Sequence, residues 1–439
     1  MNRVSVFAVA VAMGAFVPVI SAASSPEARI DGAYSDGTEV NGVPERAIIL
    51  SGDASKIHDR VMTVLYDTND LHFHDPGVPR FLFVDREGNT ALGIGGYVEG
   101  VFSADFHGAI DDPAFITHSI PVPSSPTLRN RFGADVSRST IFLKLVRNTG
   151  IGVLNAYVQT NFEGDNGGYG LKLKQAYVSL GDVMAGLARS TFVDAAAGAP
   201  TIDYQGPSGE VGGENVLLRY RHEFASDWAV AVGVEMPEAT YTTVAGESEK
   251  INQRVPDIPA YIQYGWHGGA SHIRLSAIFR ELSYRDVLDG SNCFATGYGV
   301  QLSGVSDFYD IVGLYYQATC GKGLGRYVND LSGFGYDLIP SATAGKMKAP
   351  ASFSFAAGLR FNLRDNFFVS GSYSLSRLYD QEVMPADTYR RGNYFVVNAF
   401  YTPISDLQIG VEYLHGSRRD MNGESDSANR LQAMVKYSF

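Results

Sequence analysis

Basic side chains recur at alternate positions in several stretches of this chain, and that spacing suits an electrostatic surface better than a catalytic centre. Alternation places such residues on one face of a β-strand. If that face lines a water-filled lumen, the charges set ion selectivity, although they could equally be solvated residues without such a role. Acids at equivalent positions are fewer, namely Glu99, Glu223 and Glu412. The candidate lumenal basic residues are Arg138, Lys144, Lys172, Lys174, Arg219, Arg221, Arg274, Arg280, Arg360, Arg430 and Lys436.

Motifs for catalysis, cofactors or metals are weak. His72 and His74 could share one strand face and bind a metal, but no third ligand is evident. The sequence contains no D-x-D-x-D-G calcium loop and no G-x-S-x-G nucleophile elbow, and no helix follows the glycines at 93–96. We therefore expect no cofactor, no metal and no enzyme, although an outer-membrane phospholipase or protease with scattered rim residues remains an alternative.

Length and composition favour a large β protein. The chain has 439 residues, with 45% hydrophobic and 19% charged residues, Gly 48, Tyr 25 and Phe 25. Apart from the N-terminus there is no apolar run of about 20 residues, which excludes a polytopic helical membrane protein. A net charge of −12 argues against nucleic acid as a partner, and two cysteines exclude a disulfide scaffold.

The N-terminus predicts export. Arg3 precedes an apolar stretch at 4–20, and small residues at 21–23 offer a cleavage site. The alternative is a transmembrane anchor, but no basic stop-transfer cluster follows. Residues 1–23 are therefore predicted to be a cleaved signal peptide.

The C-terminus predicts an outer-membrane barrel. Within 427–439, apolar residues alternate with polar and basic ones, and the chain ends on Phe439. Lipid on one face and an aqueous lumen on the other explain such a strand, although an edge strand of a secreted enzyme would also alternate.

Similar strands fill the rest of the chain, so the predicted fold class is all-β, a 16-stranded antiparallel transmembrane β-barrel over residues 91–439 in the bacterial outer membrane. Short connections alternate with long ones, which places all short turns at one end of a barrel and all long loops at the other. The predicted short turns are 148–150, 181–182, 225–227, 268–269, 306–307, 364–365 and 403–405, and the longest loops are 107–130, 191–212, 238–256 and 321–350. Residues 24–90 are irregular and are expected to lie in the periplasm or to plug the lumen.

The loop 191–212 carries a distinctive pattern. Residues 189–194 read RSTFVD and residues 200–207 read PTIDYQGP. This pattern resembles the DcaP-like porins, and the resemblance implies a homotrimeric outer-membrane channel for small, often anionic, solutes. In sixteen-stranded porins the third external loop folds inward, although here the loop could also be a surface turn. The predicted constriction residues are Arg189, Thr191, Phe192, Asp194, Asp203 and Tyr204.

Two functions follow from this sequence. The first is a porin for passive diffusion of small hydrophilic, anionic solutes through a pore narrowed by 191–212. The second is a structural or adhesive outer-membrane barrel occluded by its N-terminal segment. Outer-membrane lipid, the solutes and further copies of the chain are the expected partners.

Strand register also predicts a disulfide. If 306–307 is a two-residue hairpin turn, Val305 pairs with Phe308, and Cys293 then pairs with Cys320. Directly opposed side chains in a close pair are near enough for an S–S bond, which the oxidising periplasm would preserve.

Overall fold

The structure is a computed structural model that describes residues 39–40, 43–44, 47–108, 110, 113–128, 130–164, 169–225, 227–379, 381 and 383–439. The predicted signal peptide, residues 1–23, lies outside the described residues. Within the described ranges, no helix is long and apolar enough to cross a membrane.

The described strands form a closed antiparallel barrel with sixteen strands in its wall, as predicted. The last strand pairs with the first, and Phe439 exchanges two backbone hydrogen bonds with Gly96. The wall strands are β1 (Thr90–His107), β2 (Arg131–Asp135 and Thr140–Thr149), β3 (Gly152–Gly164), β4 (Gly170–Leu180), β5 (Val183–Arg189), β6 (Glu214–Ala225), β7 (Trp228–Glu235), β8 (Ile258–Trp266), β9 (Ser271–Asp286), β10 (Ser291–Phe308), β11 (Val312–Lys322), β12 (Ala351–Arg364), β13 (Phe367–Leu378), β14 (Tyr389–Ile404), β15 (Leu407–Asp420) and β16 (Ser425–Ser438).

Shorter elements lie outside this wall. The N-terminal segment contains one α-helix, α1 (Asp59–Leu65). The short strands are Glu39–Val40, Val43–Pro44, Ile48–Ser51, Phe81–Val84, Ser248–Lys250, Ile339–Pro340 and Met347–Lys348, and the single-turn 3₁₀ helices are Ala54–Lys56, Thr117–Ser119, Ala195–Ala197, His267–Gly269 and Asn329–Leu331.

Alternation along each wall strand separates two environments. On β12, Leu359 and Phe361 are exposed on the outer surface, whereas Ser354 and Arg360 are buried on the inner face. Four serines of β13, at positions 370, 372, 374 and 376, are likewise buried. Successive side chains of a strand point to opposite faces, so an apolar exterior and a polar interior arise from a period of two.

Connection lengths also alternate. The connections that precede β3, β5, β7, β9, β11, β13 and β15 are at most four residues long. We call this end of the barrel the turn end and the opposite end the loop end. Two long connections fold inward from the loop end, namely 190–213, which we call the inner loop, and 323–350, which we call the cover loop.

The β10–β11 hairpin differs from its prediction. Phe308 pairs with Val312, and the turn contains Tyr309 and Asp310 with φ of 56° each. β10 therefore continues through the predicted turn to Phe308, β11 begins only at Val312, and Val305 pairs with Tyr315.

The predicted disulfide is consequently wrong. Cys320 pairs with Val300 on β10, whereas Cys293 lies opposite Tyr284 on β9. Both cysteines are free thiols. A change in hairpin turn moves every cross-strand partner along the strand, so the error in the turn displaced the cysteines from each other.

The N-terminal segment is attached to the turn end. Phe81–Val84 pairs antiparallel with β1, and Ile48–Ser51 pairs parallel with Phe81–Val84. Helix α1 packs Val61 and Leu65 against Val146 of β2 in a small apolar core. Residues 66–80, which we call the strap, then cross the turn-end half of the lumen.

Candidate functional site

The inner loop lies against the inner face of the wall. The Ser208 hydroxyl is 2.9 Å from the Ser374 hydroxyl of β13, and the Val211 amide donates to Oε1 of Gln317 on β11. The carboxylate of Glu412, on β15, accepts the amides of Ile202 and Asp203 at 2.6 and 2.8 Å. These donors and acceptors replace the water that a surface loop would bind.

At Gly209 the inner loop lies so close to the wall that a residue larger than glycine would not fit. A Cβ atom on Gly209 would collide with the carbonyl oxygens of Phe355 and Leu375. Phe192 and Ile202 are fully buried, as apolar side chains of a loop that packs against a wall should be. The loop is therefore an internal layer of the barrel.

The cover loop holds the opposite side of the inner loop. The amide of Gly212 donates to the Tyr327 carbonyl at 2.8 Å, and the Asn329 amide donates to the Glu210 carbonyl at 3.0 Å. Asp330 accepts hydrogen bonds from Thr117 and Tyr389 and so joins this layer to the first outer loop. Together these loops fill the lumen along β9–β15.

The predicted acidic residues of the inner loop point to this wall. Asp194 contacts His272 at 2.9 Å and Arg274 at 3.8 Å, and it also accepts from Ser303. Burial would raise the pKa of Asp194, but the cationic partners hold the pKa below its ordinary value. Asp203 accepts hydrogen bonds from the Phe115 amide and the Tyr394 hydroxyl, and burial raises its pKa.

Several predicted lumenal basic residues hold this filled half together. Arg280 is fully buried, with Asp257 at 2.9 Å and Asp337 of the cover loop at 2.6 Å. Arg430 is likewise buried against Asp105 at 2.7 Å. The others are Arg274 against Asp70 and Asp194, Arg360 against Asp307, Arg138 against Asp135 and the Tyr204 ring, and Lys436 against the rings of Tyr97 and Phe73.

The remaining predicted basic residues lie on β2 and β4–β6. Lys144, Lys174, Arg219 and Arg221 line cavities, as does Arg189 from the predicted constriction set. Lys172 is exposed on β4, on the opposite face from Leu171 and Leu173, and does not line these cavities. The predicted basic wall is therefore confined to one side of the barrel.

Three cavities lie in series along this side. The outer cavity has a volume of about 490 Å³, the middle one about 190 Å³ and the inner one about 590 Å³. Gly213 and Glu214 line both the outer and the middle cavity, whereas Asp75, Gln175 and Arg189 line both the middle and the inner one. We call this series the passage.

Charges of both signs line the passage. Lys174 is 3.7 Å from Glu214 at the outer junction, and Arg189 holds Asp75 at the inner junction. Arg221 pairs with Glu223 at 2.7 Å. Tyr204 of the inner loop lies against Lys174, whose Nζ is 5.4 Å from the ring centroid.

Glu210 is the inner-loop acid that borders the middle cavity. It is almost completely buried, and burial raises its pKa to about 8. No cation lies among the groups that shift this pKa, so the carboxyl group is protonated over most of the neutral range.

The strap forms the other side of the passage. Its Phe73 ring packs against Phe400 and Phe368 with centroid distances of 5.0 and 6.2 Å. His74 contacts the Asp203 carbonyl through Nε2 at 3.2 Å, and its own carbonyl accepts from the Tyr97 hydroxyl. These contacts bring the strap and the inner loop into one layer.

The strap histidines lie close together in a buried layer. The rings of His72 and His74 are 5.3 Å apart, and burial lowers the pKa of both. The described residues contain no group of three His, Cys, Asp or Glu side chains placed to hold a metal ion.

Sequence reasoning missed several residues of the passage. Gln159 and Gln175 face it from β3 and β4. Alternation with Ala156 and Val158 would have identified Gln159, whereas Gln175 is in phase with Leu171 and Leu173, and the register of β3 and β4 shifts beside it. Asp75 gives no such signal, because it lies in an irregular segment and meets Arg189 only after the barrel has closed.

The family model described as DcaP outer membrane protein matches residues 89–439. The chain belongs to this family. No curated protein matches the chain.

Solved structures of channels share the fold. The outer membrane channel DcaP of Acinetobacter baumannii has a TM-score of 0.70 and 18% identity, with 81% of this chain and 99% of that chain covered. The in-vitro folded outer membrane protein OmpT of Vibrio cholerae has a TM-score of 0.51 and 10% identity, with 81% of this chain and 99% of that chain covered. An anion-selective porin from Comamonas acidovorans also has a TM-score of 0.51 and 10% identity, with 80% of this chain and 100% of that chain covered. This member of the DcaP outer membrane protein family thus has the fold of these channels.

Proposed function

We propose that this DcaP-family chain lets small hydrophilic anions diffuse through the passage, which the inner loop and the strap narrow. The barrel alone would leave a wide aqueous channel, because sixteen strands enclose more space than side chains can fill. The inner loop, the cover loop and the strap fill one side of that space and leave the passage along β2–β6. The middle cavity, about 190 Å³, is the smallest of the three cavities.

The observation that carries the anion preference is the position of Arg219. Its Nη2 donates to the Arg189 carbonyl and to the Met184 sulfur, and it has no ion pair within the described residues. Lys144 likewise donates to the Leu65 carbonyl rather than to an acid. Both side chains line the inner cavity. Cations without a bound carboxylate attract anions into a pore. Acids outnumber bases among the other residues that line the three cavities, so the anion preference rests on the local field of these two cations and not on the net charge of the lining.

The test is the reversal potential of the purified channel across a planar bilayer with a potassium chloride gradient. A sign that favours chloride supports the proposal, and a sign that favours potassium contradicts the anion preference. Swelling of proteoliposomes in sugars of increasing size measures the narrowing independently.

The position of the strap in the lumen supports a second candidate function, that of a structural or adhesive barrel that conducts no ions. Phe73, His74 and Asp75 occupy part of the lumen and are held on several sides. If the strap seals the passage, folded protein will insert into bilayers without conducting ions. Conductance that appears only after the strap is deleted would support this second function.

We also propose a homotrimer, as resemblance to the family implies. Analytical ultracentrifugation of the detergent-solubilised protein tests it, and a monomer mass would contradict it.

A further inference from the structure

One ion pair lies at the junction between the middle and inner cavities. The guanidinium of Arg189 donates from Nη1 and Nη2 to the two carboxylate oxygens of Asp75, at 2.5 and 2.6 Å. Two parallel hydrogen bonds between a planar guanidinium and a carboxylate form the strongest and most specific arginine contact. Arg189 therefore presents a site that fits one carboxylate group.

The carboxylate in that site comes from outside the barrel. Asp75 belongs to the strap, whereas the family match begins at residue 89. Most cations of the filled half instead meet acids of the wall or of the outer loops, as Arg280 meets Asp337 and Arg430 meets Asp105. Arg274 also meets an acid of the strap, Asp70, but Arg189 and Asp75 lie where the middle and inner cavities meet.

The site is open to the passage on one side. The Arg189 side chain keeps 25% of its surface exposed, while the Asp75 side chain keeps 5%. Gln175 borders the same two cavities, and Lys174 borders the middle one. A solute that reached Arg189 would therefore find further hydrogen-bond donors beside the guanidinium.

The strap is anchored on both sides of Asp75. His74 is held by the Asp203 carbonyl and the Tyr97 hydroxyl, and Arg80 by Asp406 at 2.5 Å. The intervening residues 75–79 read Asp-Pro-Gly-Val-Pro. Displacement of the Asp75 carboxylate breaks the hydrogen bond that it accepts from the His72 amide at 2.7 Å. It requires movement of this short stretch and leaves both anchors in place.

We propose that Arg189 is a carboxylate-binding site of the passage, that Asp75 is its internal ligand, and that a permeating carboxylate takes the place of Asp75. This inference rests on the proposed function of a conducting porin. Asp75 then acts as a tethered competitor, so that it lowers the affinity for carboxylates and allows a bound solute to leave. A conducting site must bind solutes weakly enough to release them.

The experiment uses acetate, which matches the Asp75 side chain, and measures how acetate reduces the chloride current of single channels. In Asp75→Ala, Arg189 is without its internal ligand, and acetate should reduce the current in a saturable manner. A site that its internal ligand leaves free about one-tenth of the time binds a competing solute about tenfold more weakly, so the half-effective acetate concentration should fall about tenfold relative to the unmodified chain.

Two variants serve as controls. Asp59→Ala removes one carboxylate from an exposed position of α1 that lines none of the three cavities, and its half-effective concentration should match that of the unmodified chain. The double variant Asp75→Ala with Arg189→Gln should lose the saturable effect. If Asp75→Ala does not fold, Asp75→Asn is used in its place, because asparagine preserves the shape of the aspartate side chain.

An unchanged half-effective concentration in Asp75→Ala would overturn this inference, as would a saturable effect that survives in the double variant. Either result can occur in a channel that conducts well, so it would leave the proposed function intact. A chain that conducts nothing with the strap present or deleted would instead contradict the proposed function.

Discussion

Arginines of the lumen divide into two groups according to their partners. Arg280 and Arg430 are fully buried and held by carboxylates, because a buried guanidinium without a partner would be costly. Arg219 lines the inner cavity, and among the described residues its acceptors are a carbonyl and a sulfur. Strand alternation predicts that all three point inward, but it does not show which of them meet acids. The acids come from outer loops and distant strands, so only the folded chain brings the partners together.

Charge removal at Arg219 should change selectivity. We expect Arg219→Gln to lower the chloride-to-potassium permeability ratio by about twofold, since a unit charge about 8 Å from an ion in water contributes roughly 0.5 kcal/mol. Arg360→Gln is the matched control, because Arg360 is buried against Asp307 and does not line the passage.

The control should affect stability instead. Loss of a hydrogen bond to a charged group costs roughly 1–3 kcal/mol, so Arg360→Gln should lower the temperature at which the barrel unfolds. Reversal potentials and heat-modified mobility on gels measure the two effects. Equal shifts in selectivity for both variants would contradict the assignment of Arg219.

Glu210 should make the passage sensitive to pH. Burial raises its pKa from the ordinary 4.5 to about 8, so the folded chain binds this proton more tightly than the unfolded chain does. Its contribution to the packing of the inner loop is present below pH 4.5 and is lost as pH rises through about 8. Ionisation also adds a negative charge beside the middle cavity.

We therefore expect the permeability to chloride to fall as pH increases from 7 to 9. Reversal potentials recorded at several pH values measure the change. Glu210→Gln remains neutral throughout and should remove the part of the pH dependence that comes from this group. If Glu210→Gln keeps the full pH dependence of the permeability, that dependence comes from another residue.

At the scale of elements, the strands were predictable and one hairpin was not. Apolar and polar residues alternate with a period of two, and lipid outside with water inside requires that period along every strand of the wall. The turn between β10 and β11 depends on left-handed backbone at Tyr309 and Asp310, residues that carry no glycine signal. The cysteine pairing relied on that turn and was wrong for that reason.

The inner loop should control the size of the passage. Its position along the wall depends on contacts such as those of Ser208 with Ser374 and of Ile202 with Glu412. Replacement of residues 195–207 by a short glycine-serine linker should raise single-channel conductance by at least about twofold, since an unfilled sixteen-stranded barrel holds an aqueous channel.

The control for this deletion is a shortened turn at residues 421–424, which lies at the loop end and lines none of the three cavities. Its conductance should equal that of the unmodified chain. An inner-loop deletion with unchanged conductance would show that the loop does not narrow the passage.

At the scale of the whole molecule, the number of strands and the sorting of short and long connections could be predicted, because closure of an antiparallel barrel demands an even count. The division of the lumen into a filled side and the passage could not be predicted from the sequence. It arises where the inner loop, the cover loop and the strap meet, and each contributes contacts over sequence distances that no local pattern records. Phe73 on Phe400 and Asp75 on Arg189 are two such contacts.

The most direct test of the account is single-channel recording from the full-length, folded chain in planar bilayers. Heat-modified mobility on gels establishes that the protein is folded, and protease protection in vesicles establishes that it is inserted. We expect discrete conductance steps and a reversal potential that favours chloride over potassium. Folded and inserted protein that gives no steps would contradict the proposal that this barrel, with its strap in place, is an open porin.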